Sequence, residues 1–351
     1  MILDEFLSEI KTSKKILITG HTGFKGTWLT LLLQRLGYEV CGISLEPEKD
    51  SLYQSLNRTG NLEEEFLDIR DREKLKKSIN VMKPSIVFHL AAQALVLKSY
   101  HEPVETFETN VLGTVNVLDS CFKSQETEAI SVITTDKVYA NNDSGKHFVE
   151  SDPLHGKDPY SASKVATEAV VAAWQQMRKI SSGPCIMSFR AGNVIGGGDQ
   201  AEDRLLPDLV RGFISGKQIE IRNGSSTRPW QHVLDPLAGY LLGTARNVAG
   251  QEIKALNLSP EGESLSVTRV SELACQTWGS NPKVKINTDG SGREALTLQL
   301  DSSLARERIG WRPAWTQEEA VVATVKWWRN VHKNGISPLE ACNIDLEYLL
   351  K

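Results

Sequence analysis

The chain has 351 residues, 40% hydrophobic and 24% charged, a globular composition long enough for two lobes around a sizeable core. Its net charge of −4 excludes the basic footprint of a nucleic-acid or anionic-membrane binder, and no apolar run approaches the length that spans a bilayer. Five scattered cysteines (Cys41, Cys121, Cys185, Cys275, Cys342), with no C-x-x-C and no cysteine–histidine cluster, suggest neither a disulfide framework nor a metal site. The first residues lack the charged-then-apolar pattern of a signal peptide, so the expected compartment is the cytoplasm.

Short apolar runs alternate with longer helical patterns from residue 15 to about 190. KILIT (15–19) predicts a strand, and a helix is expected over 26–37. EVCGIS (39–44) predicts the second strand, and Phe66-Leu67-Asp68 a short third one before a helix over 70–82. The basic run Lys74-Leu75-Lys76-Lys77 sits beside acids on that helix and reads as a solvated face. SIVFHL (85–90) is continuously apolar, as a strand buried on both faces should be. A long helical pattern covers 104–123, strands are expected at 130–134 and 185–189, and a helix between them over 160–179. This alternation predicts an α/β fold, a Rossmann-type doubly wound parallel sheet.

Beyond Arg190 the elements shorten. The turn clusters Gly196-Gly197-Gly198-Asp199 and Asn223-Gly224-Ser225-Ser226 predict a smaller, interleaved lobe. The expected division is a dinucleotide-binding domain over 1–190 and a substrate lobe mainly over 191–351, with 229–250 packing back on the first domain. A tryptophan-rich helix over 318–331 should anchor packing through Trp327 and Trp328.

ITGHTGFKG follows the first strand and opens the first helix. Gly20, Gly23 and Gly26 let the chain turn tightly, let a pyrophosphate approach the helix N-terminus, and let helix and strand lie close. The strand–glycine–helix context makes dinucleotide binding the reading, with His21, Thr22, Phe24 and Lys25 in the same loop. His21 and Lys25 could attract phosphate. The second strand ends at Ser44 without the acid that often holds an adenosine ribose, which leaves NAD against NADP open from the residues alone. Asp68 and Ile69 are placed to meet the adenine ring. In DPYSASKVATE, Tyr160 and Lys164 stand four apart, one helical turn, where a cation can lower the phenol's pKa toward that of a working base.

Together these residues resemble the short-chain dehydrogenase/reductase superfamily, in its extended branch that acts on nucleotide sugars. The resemblance implies a bound nicotinamide cofactor, Tyr160 as acid–base residue at a sugar hydroxyl, Lys164 as its support, Thr135 at the same hydroxyl, and Asn110 as a structural asparagine. Leu90, Ala91 and Ala92 are expected to border the cofactor and Gln93 to face the sugar. GHTGFKGTWL, TTDKVY, DPYSASK, RAGNVIGGGD and TRPWQHVLDP, in that order, are similar to the CDP-glucose 4,6-dehydratases within this branch. That similarity implies NAD as cofactor, CDP-glucose as substrate, and a role in deoxysugar synthesis for surface polysaccharide. It also implies a homodimer built on the helices Val104–Lys123 and Tyr160–Lys179.

In such a dehydratase, oxidation at C4 is followed by loss of the C5 proton and the C6 hydroxyl. By resemblance Asp136 is the acid at C6. Lys137 stands where dTDP-glucose relatives carry a glutamate base, and it acts either as a base of lowered pKa or as a cation beside the enolate. A diphosphate calls for arginine and amide donors, so Asn193, Arg204, Arg228 and, more weakly, Arg222 are the substrate candidates. His232 reads as structural. Two rival readings share the scaffold: a nucleotide-sugar epimerase, which Asp136-Lys137 argues against, and a non-catalytic dinucleotide sensor, which the intact Thr135, Tyr160 and Lys164 argue against.

Overall fold

The computed structural model describes residues 3–11, 14–142, 145–279, 284–287 and 298–351. Among these, seven strands form one parallel sheet: β1 (Lys15–Thr19), β2 (Glu39–Ser44), β3 (Glu63–Phe66), β4 (Ile86–His89), β5 (Ala129–Ile133), β6 (Cys185–Ala191) and β7 (Ala255–Leu258). Their spatial order is β7-β6-β5-β4-β1-β2-β3. The doubly wound sheet expected from the alternating pattern is therefore present.

β4 and β5 are buried at every position. Successive side chains of a strand point to opposite faces, and both faces are covered by helices. Ile86 and Phe88 enter one core with Ile16 and Ile18, whereas Val87 enters the other with Leu17, Ile130 and Val132. Each such Val, Leu or Phe contributes about 1.5–3 kcal/mol by leaving water. This two-sided burial explains why SIVFHL shows no alternation.

Three elements differ from expectation. The third strand begins earlier, on Glu63-Glu64-Glu65, because it is the sheet's edge and tolerates charge where an inner strand would not. β7 was not foreseen; it adds Leu256 and Leu258, both fully buried, to the far edge of the sheet. The chain also continues past the tryptophan-rich helix (Gln317–Lys333) into a further helix, Pro338–Leu349.

The helix Leu234–Val248 packs on the central sheet. Tyr240 packs on Phe189 of β6 with ring centroids 4.9 Å apart, and the Thr244 hydroxyl meets that of Ser131 in β5 at 2.7 Å. The pattern over 104–123 is a helix interrupted by one π turn at Glu108–Leu112, where the N–H of Gly113 reaches back to the carbonyl of Glu108. Gly197 lies under Trp327, and a Cβ there would sit 2.0 Å from the indole. The carbonyl of Gly197 accepts from the Trp28 indole at 3.0 Å, so the Gly196–Asp199 turn is tied to the helix Phe24–Arg35. Trp327 and Trp328 are buried, as expected for packing anchors. Among the described residues no helix is long and apolar enough to cross a membrane, and no cluster could hold a metal ion.

Candidate active site

The strand order reverses beside β1, whose neighbours are β2 and β4, so a crevice opens beyond the carboxyl ends of β1 and β4. Gly20 turns there with φ +78, and a Cβ on it would meet the backbone N of Ala91 at 2.8 Å. A Cβ on Gly26 would lie 2.1 Å from the carbonyl oxygen of Gly20. Only glycine allows the loop, the segment Leu90–Ala92 and the helix Phe24–Arg35 to converge this closely. That shallow, donor-lined floor is the shape a pyrophosphate requires, so these residues fit a dinucleotide.

The loop's side chains divide. Thr22 hydrogen-bonds Ser44 at 2.6 Å, holding the end of β2 beside the cradle with no carboxylate at that end. His21 corrects the expectation that it attracts phosphate. Its ring is fully buried beneath Gly42, 2.9 Å from Glu64, and burial holds its pKa below the usual value. It ties the glycine loop to the edge strand instead. Lys25 remains half-buried in the crevice, its ammonium 3.4 Å from the Tyr240 hydroxyl. Burial, then the charges of Arg204 and Lys164, push its pKa down to about 7. Cations that repel one another in this way are relieved by an anion, which fits a diphosphate.

Near the adenine position the outcome is mixed. The Asp68 carboxylate is taken by Arg70 at 2.6 Å, and the Ile69 side chain turns into the core under Gly113. Gln93 also differs from its expectation. Its amide bonds the Leu95 backbone and the Thr106 hydroxyl, and Asn110 clamps its backbone on both sides, so it shapes the loop after β4 rather than facing a sugar. Asn110 itself is 1% exposed and reaches Ser163 on the helix Pro159–Ile180, a structural role.

That helix begins with a capping box, Asp158 with Ser161, and Pro159 in its first turn. The cap fixes the helix start, so Tyr160 projects from the first turn and Lys164 from the next. Lys164 donates to the carbonyl of Ile133 at 3.2 Å, which ties the helix to the end of β5. Burial pushes its pKa down to about 8, with Glu168 opposing the shift. The Tyr160 phenol is buried, and that burial raises its pKa. The charge of Lys137, a hydrogen bond from Thr135 and the charge of Arg204 pull it back. Lys137, from the segment after β5, is thus a second cation beside the phenol, in addition to Lys164 one helical turn away.

Two residues past β5, Thr135 caps the 3-10 turn Asp136–Val138; its hydroxyl donates to Oδ1 of Asp136 at 3.0 Å and accepts from the backbone N–H of Lys137 at 3.3 Å. Asp136 is 2% exposed, and a Cβ on Gly192 would come within 3.0 Å of its other oxygen. Lys137 Nζ lies 3.6 Å from Asp136 Oδ1 and its side chain is partly exposed. Thr135, Asp136, Lys137 and Tyr160 thus neighbour one another. Arg204 also reaches it, held by Asp199 at 3.1 Å. Asn193 is half-buried in a short strand pairing with Trp230–His232, and Arg228 donates to the carbonyl of Thr227 at 2.8 Å. The side chain of Arg222 lies outside the described residues. His232 is enclosed between Trp28 and Trp315, away from the crevice. Sequence reasoning missed Tyr240, whose hydroxyl meets Lys25 and which sits in an apolar helix with no local mark of that contact.

A family model, GDP-mannose 4,6 dehydratase, matches residues 17–324. The chain belongs to that family. It is 40% identical over 323 residues to the CDP-glucose 4,6-dehydratase of Salmonella typhimurium, with 90% of each chain covered. It is 26% identical to the dTDP-glucose 4,6-dehydratase of Neisseria gonorrhoeae, over 90% of this chain and 95% of that one. Among solved structures, the epimerase Mth375 of Methanothermobacter thermautotrophicus superposes with a TM-score of 0.81 at 24% identity, covering 94% of this chain and 96% of that one. The UDP-glucose 4-epimerase of Thermus thermophilus, solved with NAD, gives 0.76 at 24% identity over 90% and 99%. These structural likenesses establish the shared fold.

Proposed function

We propose that the protein converts CDP-glucose to CDP-4-dehydro-6-deoxyglucose and water, using NAD that is regenerated within each turnover. Asp136 carries this reading: it is a buried carboxyl hydrogen-bonded to Thr135 in the pocket of Tyr160. Exchange of configuration at C4 needs no such acid, whereas departure of a C6 hydroxyl does. The preference for cytidine rests on the likeness to the Salmonella enzyme.

The residues divide the work. NAD, when bound over Gly20, Gly23 and Gly26, supplies a hydride acceptor and returns the hydride. Tyr160 takes the proton of the C4 hydroxyl, with Thr135 hydrogen-bonding the same oxygen. Lys137 and Lys164 place positive charge near the phenolate. Once C4 is a ketone, the C5 proton is acidified; Lys137, having passed its own proton to Asp136 3.6 Å away, receives it and gives it back to C5 as C6 is reduced. Asp136 gives its proton to the C6 oxygen, which leaves as water. Lys25, Asn193, Arg204 and Arg228 hold the phosphate groups of cofactor and substrate.

A homodimer is part of the same proposal. Leu97, Tyr100, Val104, Phe107 and Leu112 are exposed apolar side chains gathered before and along the helix expected to pair, too many in one place for ordinary surface. The enzyme is placed in the cytoplasm, where sugar nucleotides are made. Incubation with CDP-, dTDP-, UDP- and GDP-hexoses, followed by NMR of the product, tests the activity. A 4-keto-6-deoxy sugar from the CDP substrate supports it, and no water loss from any of the four refutes it.

A further inference from the structure

The segment that carries Thr135, Asp136 and Lys137 is held at both ends by one buried ion pair. Glu168 Oε1 accepts from the hydroxyl of Thr134, the residue before Thr135, at 2.5 Å. Arg190 Nη1 donates at 2.8 Å to the hydroxyl of Tyr139, two residues after Lys137. Glu168 and Arg190 meet each other twice, Nε to Oε1 at 3.0 Å and Nη2 to Oε2 at 2.9 Å, in the forked geometry that suits a carboxylate.

Everything about the pair is satisfied. Ser188 gives Glu168 a fourth donor at 2.8 Å, and Arg190 also bonds the carbonyl of Glu150 at 3.0 Å. Tyr139 passes its own proton to Asn257 at 2.7 Å, and the guanidinium lies over its ring. Both charged side chains are 6% exposed. A buried ion pair adds little net stability, because removing two charges from water offsets their attraction. It does fix distance and direction, since neither partner can move without stranding the other.

Glu168 stands one turn beyond Lys164 on the helix that presents Tyr160. Through it the position of that helix is transmitted to the segment 134–139. We propose that Glu168 and Arg190 are positioning residues that brace this segment, setting the offset between Asp136 and Lys137 on one side and Tyr160 on the other. The proposal rests on the reading of the site as a dehydratase. Neither residue touches substrate in it. Their effect is geometric, and a displacement of about 1 Å at a reacting group costs roughly a hundredfold in rate.

Glu168→Gln strands a buried arginine and can unfold the chain, so Tyr139→Phe and Thr134→Val are the decisive variants, each cutting one end of the brace and leaving the pair intact. With CDP-glucose, both should lose at least about tenfold in kcat. KM and the melting temperature should stay close to those of the unaltered protein. Elimination should slow more than oxidation, so reduced cofactor accumulates in the steady state. Backbone amides of 135–139 should exchange with solvent about tenfold faster, with the rest of the sheet unchanged. Unchanged kcat in both folded variants overturns the brace, as does a loss in which KM, stability and rate fall together. If the unaltered protein dehydrates no sugar nucleotide, the functional reading fails, and amide exchange alone then decides: unchanged protection at 135–139 rejects the brace.

Discussion

Thr135 gives its hydroxyl proton to Asp136 across 3.0 Å while its oxygen receives the N–H of Lys137. A hydroxyl has one proton. Asp136 and the phenol of Tyr160 both draw on it, so one rotatable O–H faces the two groups proposed to act in elimination and in oxidation.

Asp136→Asn keeps the size of the side chain and removes the acid. Loss of the C6 oxygen should fall by about 10²–10⁴-fold. Reduction of bound cofactor on adding CDP-glucose should continue. Rapid-quench analysis of the product, beside absorbance of the reduced nicotinamide, measures both. Tyr160→Phe should abolish the absorbance change as well.

Lys137→Met removes the charge that most lowers the pKa of Tyr160. A base works deprotonated, so the rising limb of the pH–rate profile should move to higher pH in this variant. Lys137→Arg should leave the limb nearer its original place. Profiles of kcat/KM between pH 6 and pH 10 compare the three proteins.

His89 is buried between the hydroxyls of Thr19 at 2.7 Å and Thr114 at 2.9 Å, and burial, then the charge of Lys164, push its pKa down to about 3. Above pH 6.5 the ring is neutral whether the chain is folded or not. Below it the unfolded chain takes up a proton that the folded one refuses. Stability should therefore fall as pH drops from 6.5 toward 3, by at most about 1.4 kcal/mol per pH unit from this group. Urea unfolding at pH 7, 6 and 5 should show that slope, and His89→Gln should flatten it.

Gly26→Ala places a methyl where the carbonyl of Gly20 already lies. The helix must move off the loop, at about 1–3 kcal/mol of stability. Calorimetric titration should show at least a tenfold loss of NAD affinity, roughly 1.4 kcal/mol.

The sheet was legible because parallel strands buried on both faces leave continuous apolar runs, and the glycine loop because its backbone needs are local. β3 starts before the run the pattern marks, because Glu63-Glu64-Glu65 looks like a loop until its edge position is known. His21 was misread for a similar reason: its direction is set by Glu64, 43 residues away. Lys164 lies one turn from Tyr160, whereas Lys137 comes to the phenol from another element, which helical spacing does not show. Glu168 and Arg190 sit 22 residues apart, on a helix and a strand, and no spacing rule joins them. Helical periodicity reports faces; it is silent about which faces meet.

The π turn at 108–112 turns a residue count into a geometric constraint. It leaves the carbonyl of Asn110 open to the hydroxyls of Thr114 at 2.7 Å and Thr167 at 2.8 Å, the second on the Tyr160 helix. Deleting one residue there would restore ordinary helical pairing and swing the neighbouring side chains by about 100°. Asn110 would then release both Gln93 and Ser163. Hydrophobicity and charge would barely change, so a substitution scan would pass over the weakness, and only variants altered in length would expose it.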